Sequence, residues 1–230
     1  MNRGMMPDKA LPVVAIDGPA AAGKTTVARG VAARTGMRFF DTGLLYRAVT
    51  LVALRRGIPL DCEQCLADLV DSLTLELDQS GSMIVDGQDV TADLRNPEVD
   101  AAVSLVSAQP AVRQSLFTLQ RRIAERAPVV MVGRDITTVV VPDAAVRIYL
   151  NASAEERARR RHRELQARGS ALSVEEVLAD TRERDRKDST RETAPLRAGP
   201  GVDIIETDGK SVDEVIDTVV RLVRERIPGV

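Results

Sequence analysis

Gly18, Gly23, Lys24 and Thr25 fit the spacing G-x-x-x-x-G-K-[ST], a pattern whose chemistry is the grip on a polyphosphate. Such a loop turns backbone N–H groups onto phosphate oxygens, its lysine neutralises the β- and γ-phosphates, and its hydroxyl meets a divalent cation. On this reading Gly18, Pro19, Ala20, Ala21, Ala22, Gly23, Lys24, Thr25 and Thr26 would wrap a nucleotide's phosphates, with Thr25 on Mg²⁺. A second set of residues is cationic. Only four of the 32 basic residues are lysine (Lys9, Lys24, Lys187 and Lys210), so nearly all positive charge sits on arginine, whose planar fork pairs bidentately with phosphate. Arg47 follows "FFD" and Arg134 follows "VVMV". Two arginines on one phosphate, at about 1.5 to 3 kcal/mol per charge-assisted bond, make a monophosphate the natural acceptor.

Strand and helix signals alternate in the way that positions these groups at one rim of a parallel sheet. "PVVAID" is an apolar strand entering the glycine loop, and "KTTVARGVAARTG" continues as a helix closed by Gly36. "RFFD" and "GLLYRAVTLVALRRG" repeat the arrangement, and "PVVMVG", "AAVRIYLN" and "VDIIETD" supply three further strands. Ser153, Ser173 and Ser211 each precede a glutamate by three residues, the capping-box signature of a helix start. Between Leu73 and Val90 the period changes to two, with Gly81 and Gly87 as turns, which predicts a small antiparallel ribbon. The expected organisation is one α/β domain, residues 1–230. It has a parallel sheet core flanked by helices, an acceptor-side insertion at 67–100, a helical arginine-rich lid at 154–190 and a flexible tail at 1–10.

A net charge of -2 and a pI near 5.6 argue against binding nucleic acid by bulk attraction. The run "RARRRHR" has no interleaved aromatics, and Glu155 and Glu156 stand four residues before Arg159 and Arg160, which is the pattern of a solvated helix. No apolar run reaches membrane-spanning length and the start lacks a signal segment, so a cytoplasmic monomer is expected, acting on small molecules with no nucleic-acid or membrane partner. Cys62 and Cys65 form a C-x-x-C with no third cysteine and with one histidine in the chain. That set is too small for an ordinary zinc site, and the pair is expected as ordinary reduced thiols. A nucleotide switch would need an Asn-Lys-x-Asp guanine reader, and none of Asn2, Asn96 or Asn151 is followed by lysine.

Taken in order, "IDGPAAAGKTT", "FFDTGLLYR", the ribbon, "EVDAAVSLVSAQPAVR", "GRD", "NASAEERARRR" and "ERDRKDSTRETAPL" resemble the bacterial cytidylate kinases, P-loop enzymes that move a phosphate from ATP to CMP or dCMP. Another small P-loop kinase, such as an adenylate kinase, is the alternative. The resemblance implies that Thr42, Tyr46 and Arg47 face the monophosphate and ribose, with Arg134 as second phosphate clamp. It implies that Ser104, Arg113 and Asp135 read cytosine, and that Arg184 and Asp188 hold the pentose. Arg191 would face the phosphate from the lid, and Arg157, Arg160 and Arg161 would cover ATP. Lys24, Arg134, Arg157, Arg161 and Arg191 are then the charge-neutralising catalytic set. Three positions depart from the family pattern. Ala21 replaces a loop glycine, Thr137 replaces a glycine after "GRD", and Val132 replaces an acidic residue before it, so that an outer-shell Mg²⁺ contact is either absent or supplied through water by Asp17 or Asp135.

Overall fold

The computed structural model describes residues 11–78, 81–126, 128–167, 169–190 and 195–230; the expected tail at 1–10 lies outside them. Five strands form the main sheet: β1 (Leu11–Asp17), β2 (Arg38–Asp41), β6 (Val129–Val132), β7 (Ala144–Asn151) and β8 (Asp203–Glu206). Their order is β2-β6-β1-β7-β8 and every pairing is parallel. β1 is central, which explains why its run carries almost no polar residue. Val13 and Ala15 enter the core on one face, while Val14 and Ile16 enter the core on the other. The first core receives α2 (Gly43–Arg56), α3 (Glu63–Ser72), α4 (Pro97–Ala108) and α5 (Pro110–Arg126). The second receives α1 (Lys24–Thr35) and α8 (Val212–Arg226).

The period-two stretch folds into a separate antiparallel sheet of β3 (Leu75–Leu77), β4 (Met83–Val85) and β5 (Gln88–Asp89). Val85 pairs with Gln88 across Asp86 and Gly87, both at positive φ, which is the two-residue turn that suits the twist of a hairpin. Leu75, Met83 and Val85 point into the first core. α6 (Ala154–Gln166) and α7 (Val174–Thr190) pack side by side in the expected lid region.

The capping signatures are realised unequally. Ser173 and Ser211 each exchange both bonds with the glutamate three residues on. Ser153 accepts from the Glu156 amide, but its own N–H goes to Asp208, because the Glu156 carboxylate is drawn to Arg159 and Arg160. Glu155 pairs with Arg182 of α7 and not with Arg159, so the charges here tie two helices together instead of only decorating one. Cys62 and Cys65 are also not the reduced thiols expected: they are joined in a disulfide at the start of α3.

Candidate active site

The loops leaving β1, β2, β6 and β7 gather at the carboxyl rim of the sheet, where ligands of open parallel sheets sit. Gly18 leaves β1 so close to β7 that a Cβ there would lie 2.2 Å from the Leu150 carbonyl oxygen. Ala21 adopts φ 58°, so the loop keeps a left-handed turn at the position of the missing glycine, at about 1 to 2 kcal/mol of strain. Gly23 then caps α1 in a left-handed conformation with no side-chain cap, leaving the helix N-terminus as an anion-binding end beside the loop. Lys24 is buried, with Nζ donating to the Pro19 carbonyl at 2.7 Å. Burial, then repulsion from Arg134, pushes its ammonium well below the ordinary lysine range. Thr26 is exposed.

The Thr25 hydroxyl donates to Asp41 Oδ2 at 3.2 Å, while Asp41 Oδ1 accepts the Gly43 amide at 3.0 Å. Asp41 was missing from the candidates although "FFDTG" places it at a strand's carboxyl end beside the loop. A hydroxyl and a carboxylate are the hard oxygen donors that Mg²⁺ takes alongside phosphates. Among the described residues no cluster of three or more His, Cys, Asp or Glu competes for another metal.

Asp17 is fully buried and engaged elsewhere: Oδ1 accepts the Ile136 amide at 2.9 Å, and Oδ2 accepts both the amide and the hydroxyl of Thr137 at 2.7 Å. It caps a π-helical turn, Ile136–Val140, that follows the "GRD" segment. This gives Thr137 its physical role, since a glycine there would leave Asp17 one donor short. Val132 is buried in β6 and its carbonyl accepts the amide and hydroxyl of Thr42 at 3.1 and 2.9 Å. Burial pushes the Asp17 carboxyl up to about 6 from 3.8 in spite of these donors. With the folded value above the unfolded one, the stabilisation from proton uptake is fully present below pH 3.8 and is lost as pH rises through about 6. Relative to an Asp17→Asn control, urea unfolding should show stability rising on the order of 1 kcal/mol from pH 7 to 5. Thr137→Val should lower stability by about 1 to 2 kcal/mol and move that window upward. A pH-independent difference between wild type and the control would refute the assignment.

Arginines tie the glycine loop to α6 and α7. Arg134 donates Nη1 to the Gly18 carbonyl at 3.0 Å and Nε to Asp188 at 2.9 Å. Arg157, buried, reaches the Ala20 carbonyl at 3.4 Å and forks onto Asp185 at 3.0 and 2.6 Å. Arg160 lies beside Gly23 and bonds Glu156 and Thr207 at 3.0 Å. Arg47 and Arg161 share Asp100 of α4, at 2.7 and 3.3 Å. Burial acts to raise the Asp100 carboxyl, but the two guanidiniums win and hold it below the usual range. Asp100 and Asp185 were not among the candidates; sequence spacing says nothing of ion pairs made between elements. Arg184 is the exception among these cations, because its buried Nε has no hydrogen-bond partner among the described residues. Burial, then Arg134, lowers its guanidinium to about 10. Arg191 lies outside the described residues.

At the other end, Arg113 and Asp135 form a buried ion pair, and Arg113 also donates to the Ser107 carbonyl at 2.9 Å. The Tyr46 ring lies under Arg113 at 5.3 Å, and its hydroxyl accepts from Gln120 at 3.4 Å. These groups line a cavity of about 130 Å³ together with Gln114, Phe117 and Val139. Ser104 is half-buried on α4, one turn before Ser107.

A family model described as cytidylate kinase matches residues 14–225. The cytidylate kinase of Geobacillus kaustophilus is 48% identical over 217 residues, covering 93% of this chain and 97% of that protein. The bifunctional pantoate ligase/cytidylate kinase of Synechococcus sp. is 47% identical over 220 residues, covering 93% of this chain, which spans 41% of that longer protein. Among solved structures, an uncharacterized protein from Eubacterium ventriosum superimposes with a TM-score of 0.51 at 13% identity, covering 93% of this chain and 99% of that one, a likeness of fold alone.

Proposed function

The chain belongs to the cytidylate kinase family, and from that premise we infer that it transfers the γ-phosphoryl group of ATP to CMP and dCMP, giving CDP and dCDP. Family membership sets aside the adenylate kinase alternative. The observation that carries the residue-level reading is the orphaned Nε of Arg184, buried close enough to Arg134 to be depressed by it. A buried guanidinium N–H without an acceptor calls for a polar ligand atom, and a nucleoside monophosphate with its pentose at Arg184 and its phosphate at the neighbouring Arg134 would lie beside the loop that holds the donor's phosphates.

A CMP phosphate oxygen attacks the γ-phosphorus as the bond to the ADP oxygen breaks, so no protein base or covalent intermediate is needed. Lys24, Arg134, Arg157 and Arg161, with Arg191 from the lid, neutralise charge on the transferring group. Arg160 lies against the ATP side, Arg47, Tyr46 and Thr42 against the CMP phosphate and ribose, and Arg184 and Asp188 against the pentose. Arg113, Asp135 and Ser104 read the base. Thr25 and Asp41 would hold Mg²⁺, which supplies neutralisation of the β- and γ-phosphates when bound. No helix among the described residues is long and apolar enough to cross a membrane. We place the enzyme as a monomer in the cytoplasm. ADP release from MgATP, with CMP, dCMP, UMP, AMP and GMP offered separately, tests the reading. Fast turnover confined to CMP and dCMP is expected; fast turnover with AMP or GMP would overturn it.

A further inference from the structure

We propose that the Cys62–Cys65 disulfide is a thiol–disulfide exchange site for a dithiol, and that its state is read by the base pocket through Glu63. The second part rests on the CMP-binding role given to that pocket above. These are the chain's two cysteines, so neither has another intramolecular partner. Cys65 is exposed and Cys62 half-buried, which directs an incoming thiolate to the Cys65 sulfur. Cys62 is the N-cap residue of α3, with Sγ accepting the Cys65 amide at 3.3 Å. On attack it therefore departs as a thiolate stabilised by that N–H and by the helix N-terminus, the condition for a good leaving group. The new bond joins the dithiol to Cys65 as the Cys62–Cys65 bond breaks. The dithiol's second thiolate then attacks its own mixed-disulfide sulfur and expels Cys65. Two electrons and two protons pass to the cysteines, and the dithiol leaves as its disulfide. In a cytoplasmic protein such a pair is characteristically transient or redox-sensing.

The ring closed by this disulfide contains Glu63, whose Oε1 accepts the Ala111 amide at 2.8 Å. Ala111 is in the first turn of α5, where an N–H has no partner within the helix, so Glu63 acts as its cap from another element. The same helix carries Arg113, Gln114, Phe117 and Gln120, which line the base cavity. Further along α3, Leu66, Leu69 and Val70 are held in the core, so opening the ring loosens the first turn and leaves the helix docked. Reduction thus weakens the cap on α5 and the placement of Arg113, a change confined to the CMP side.

The test compares native protein before and after incubation with dithiothreitol. Thiol alkylation is read by mass, exchange of the α5 first-turn amides by hydrogen–deuterium measurement, and KM for CMP and ATP by turnover. Two alkylated thiols, faster amide exchange at Ala111, a CMP KM raised about fivefold, comparable to losing one helix cap, and an unchanged ATP KM are expected. Oxidised dithiothreitol should reverse all of it. Glu63→Ala, which removes the acceptor of the Ala111 amide, should show the raised CMP KM in both states, and Cys62→Ser/Cys65→Ser should be insensitive to dithiothreitol. A pair that resists reduction in the folded protein, or identical amide exchange and CMP KM in both states, overturns the inference. Absence of CMP turnover in either state would instead refute the functional reading, leaving alkylation and amide exchange to decide the exchange site and its reach to α5.

Discussion

Lys24→Ala is expected to reduce phosphoryl transfer by roughly 10³-fold or more while leaving the protein folded. The loss in rate follows from where the charge sits. Lys24 is the cation that opens α1 directly after the phosphate loop, and burial beside Arg134 destabilises its ammonium until phosphate oxygens arrive. An interaction made fully only with the charged, transferring group is the kind whose loss lowers kcat and not merely affinity. The fold should tolerate the change for the same reason. Within the fold Lys24 contributes one hydrogen bond to Pro19 against a depressed, repelled charge, so urea unfolding should move by no more than about 1 kcal/mol. Single-turnover ADP formation and unfolding measured on one preparation separate the two effects. A fully active Lys24→Ala protein would refute the mechanism.

Discrimination between CMP and UMP should be roughly 10⁴-fold in kcat/KM, and Asp135→Asn should remove most of it. Cytosine offers an N4 amino donor and an N3 acceptor, the complement of a carboxylate and a guanidinium, whereas uracil reverses both. Asp135 and Arg113 are already paired in the lining of the cavity, and Arg113 is anchored independently by the Ser107 carbonyl. An amide at 135 presents a donor as well as an acceptor, so it accommodates uracil while losing one charge-assisted bond to cytosine. That bond corresponds to about 1.5 to 3 kcal/mol, or about 10- to 150-fold in CMP kcat/KM. Breaking a buried pair also threatens stability by about 3 to 5 kcal/mol, so thermal unfolding accompanies the kinetics. Ser104→Ala, outside the ion pair, provides a second variant with a smaller loss confined to the CMP side. Near-equal kcat/KM for CMP and UMP in the unaltered protein would discard Asp135 and Arg113 as base readers.

The five parallel strands, the glycine-terminated α1 and α2 and the antiparallel ribbon were all legible in the sequence, because each rests on local signals. Those signals are an apolar run, a period of two or a residue able to take positive φ. The glycine loop that opens α1 was legible for the same reason, since its backbone and the helix are contiguous in the chain. Partnership between distant residues was not legible. No spacing rule connects Thr25 to Asp41, Arg157 to Asp185, or Asp100 to both Arg47 and Arg161. Thr137 had no account in one dimension and acquires one only when β1 brings Asp17 beneath it. The cysteine pair went the same way: the spacing C-x-x-C is compatible with two thiols or one disulfide, and the three-dimensional placement joins the sulfurs. Sequence by itself determined the elements and the chemistry available at their ends, because hydrogen bonding and periodicity act over a few residues. The tertiary structure alone decided which charges meet, because the sheet order β2-β6-β1-β7-β8 brings side by side loops that lie far apart in the chain.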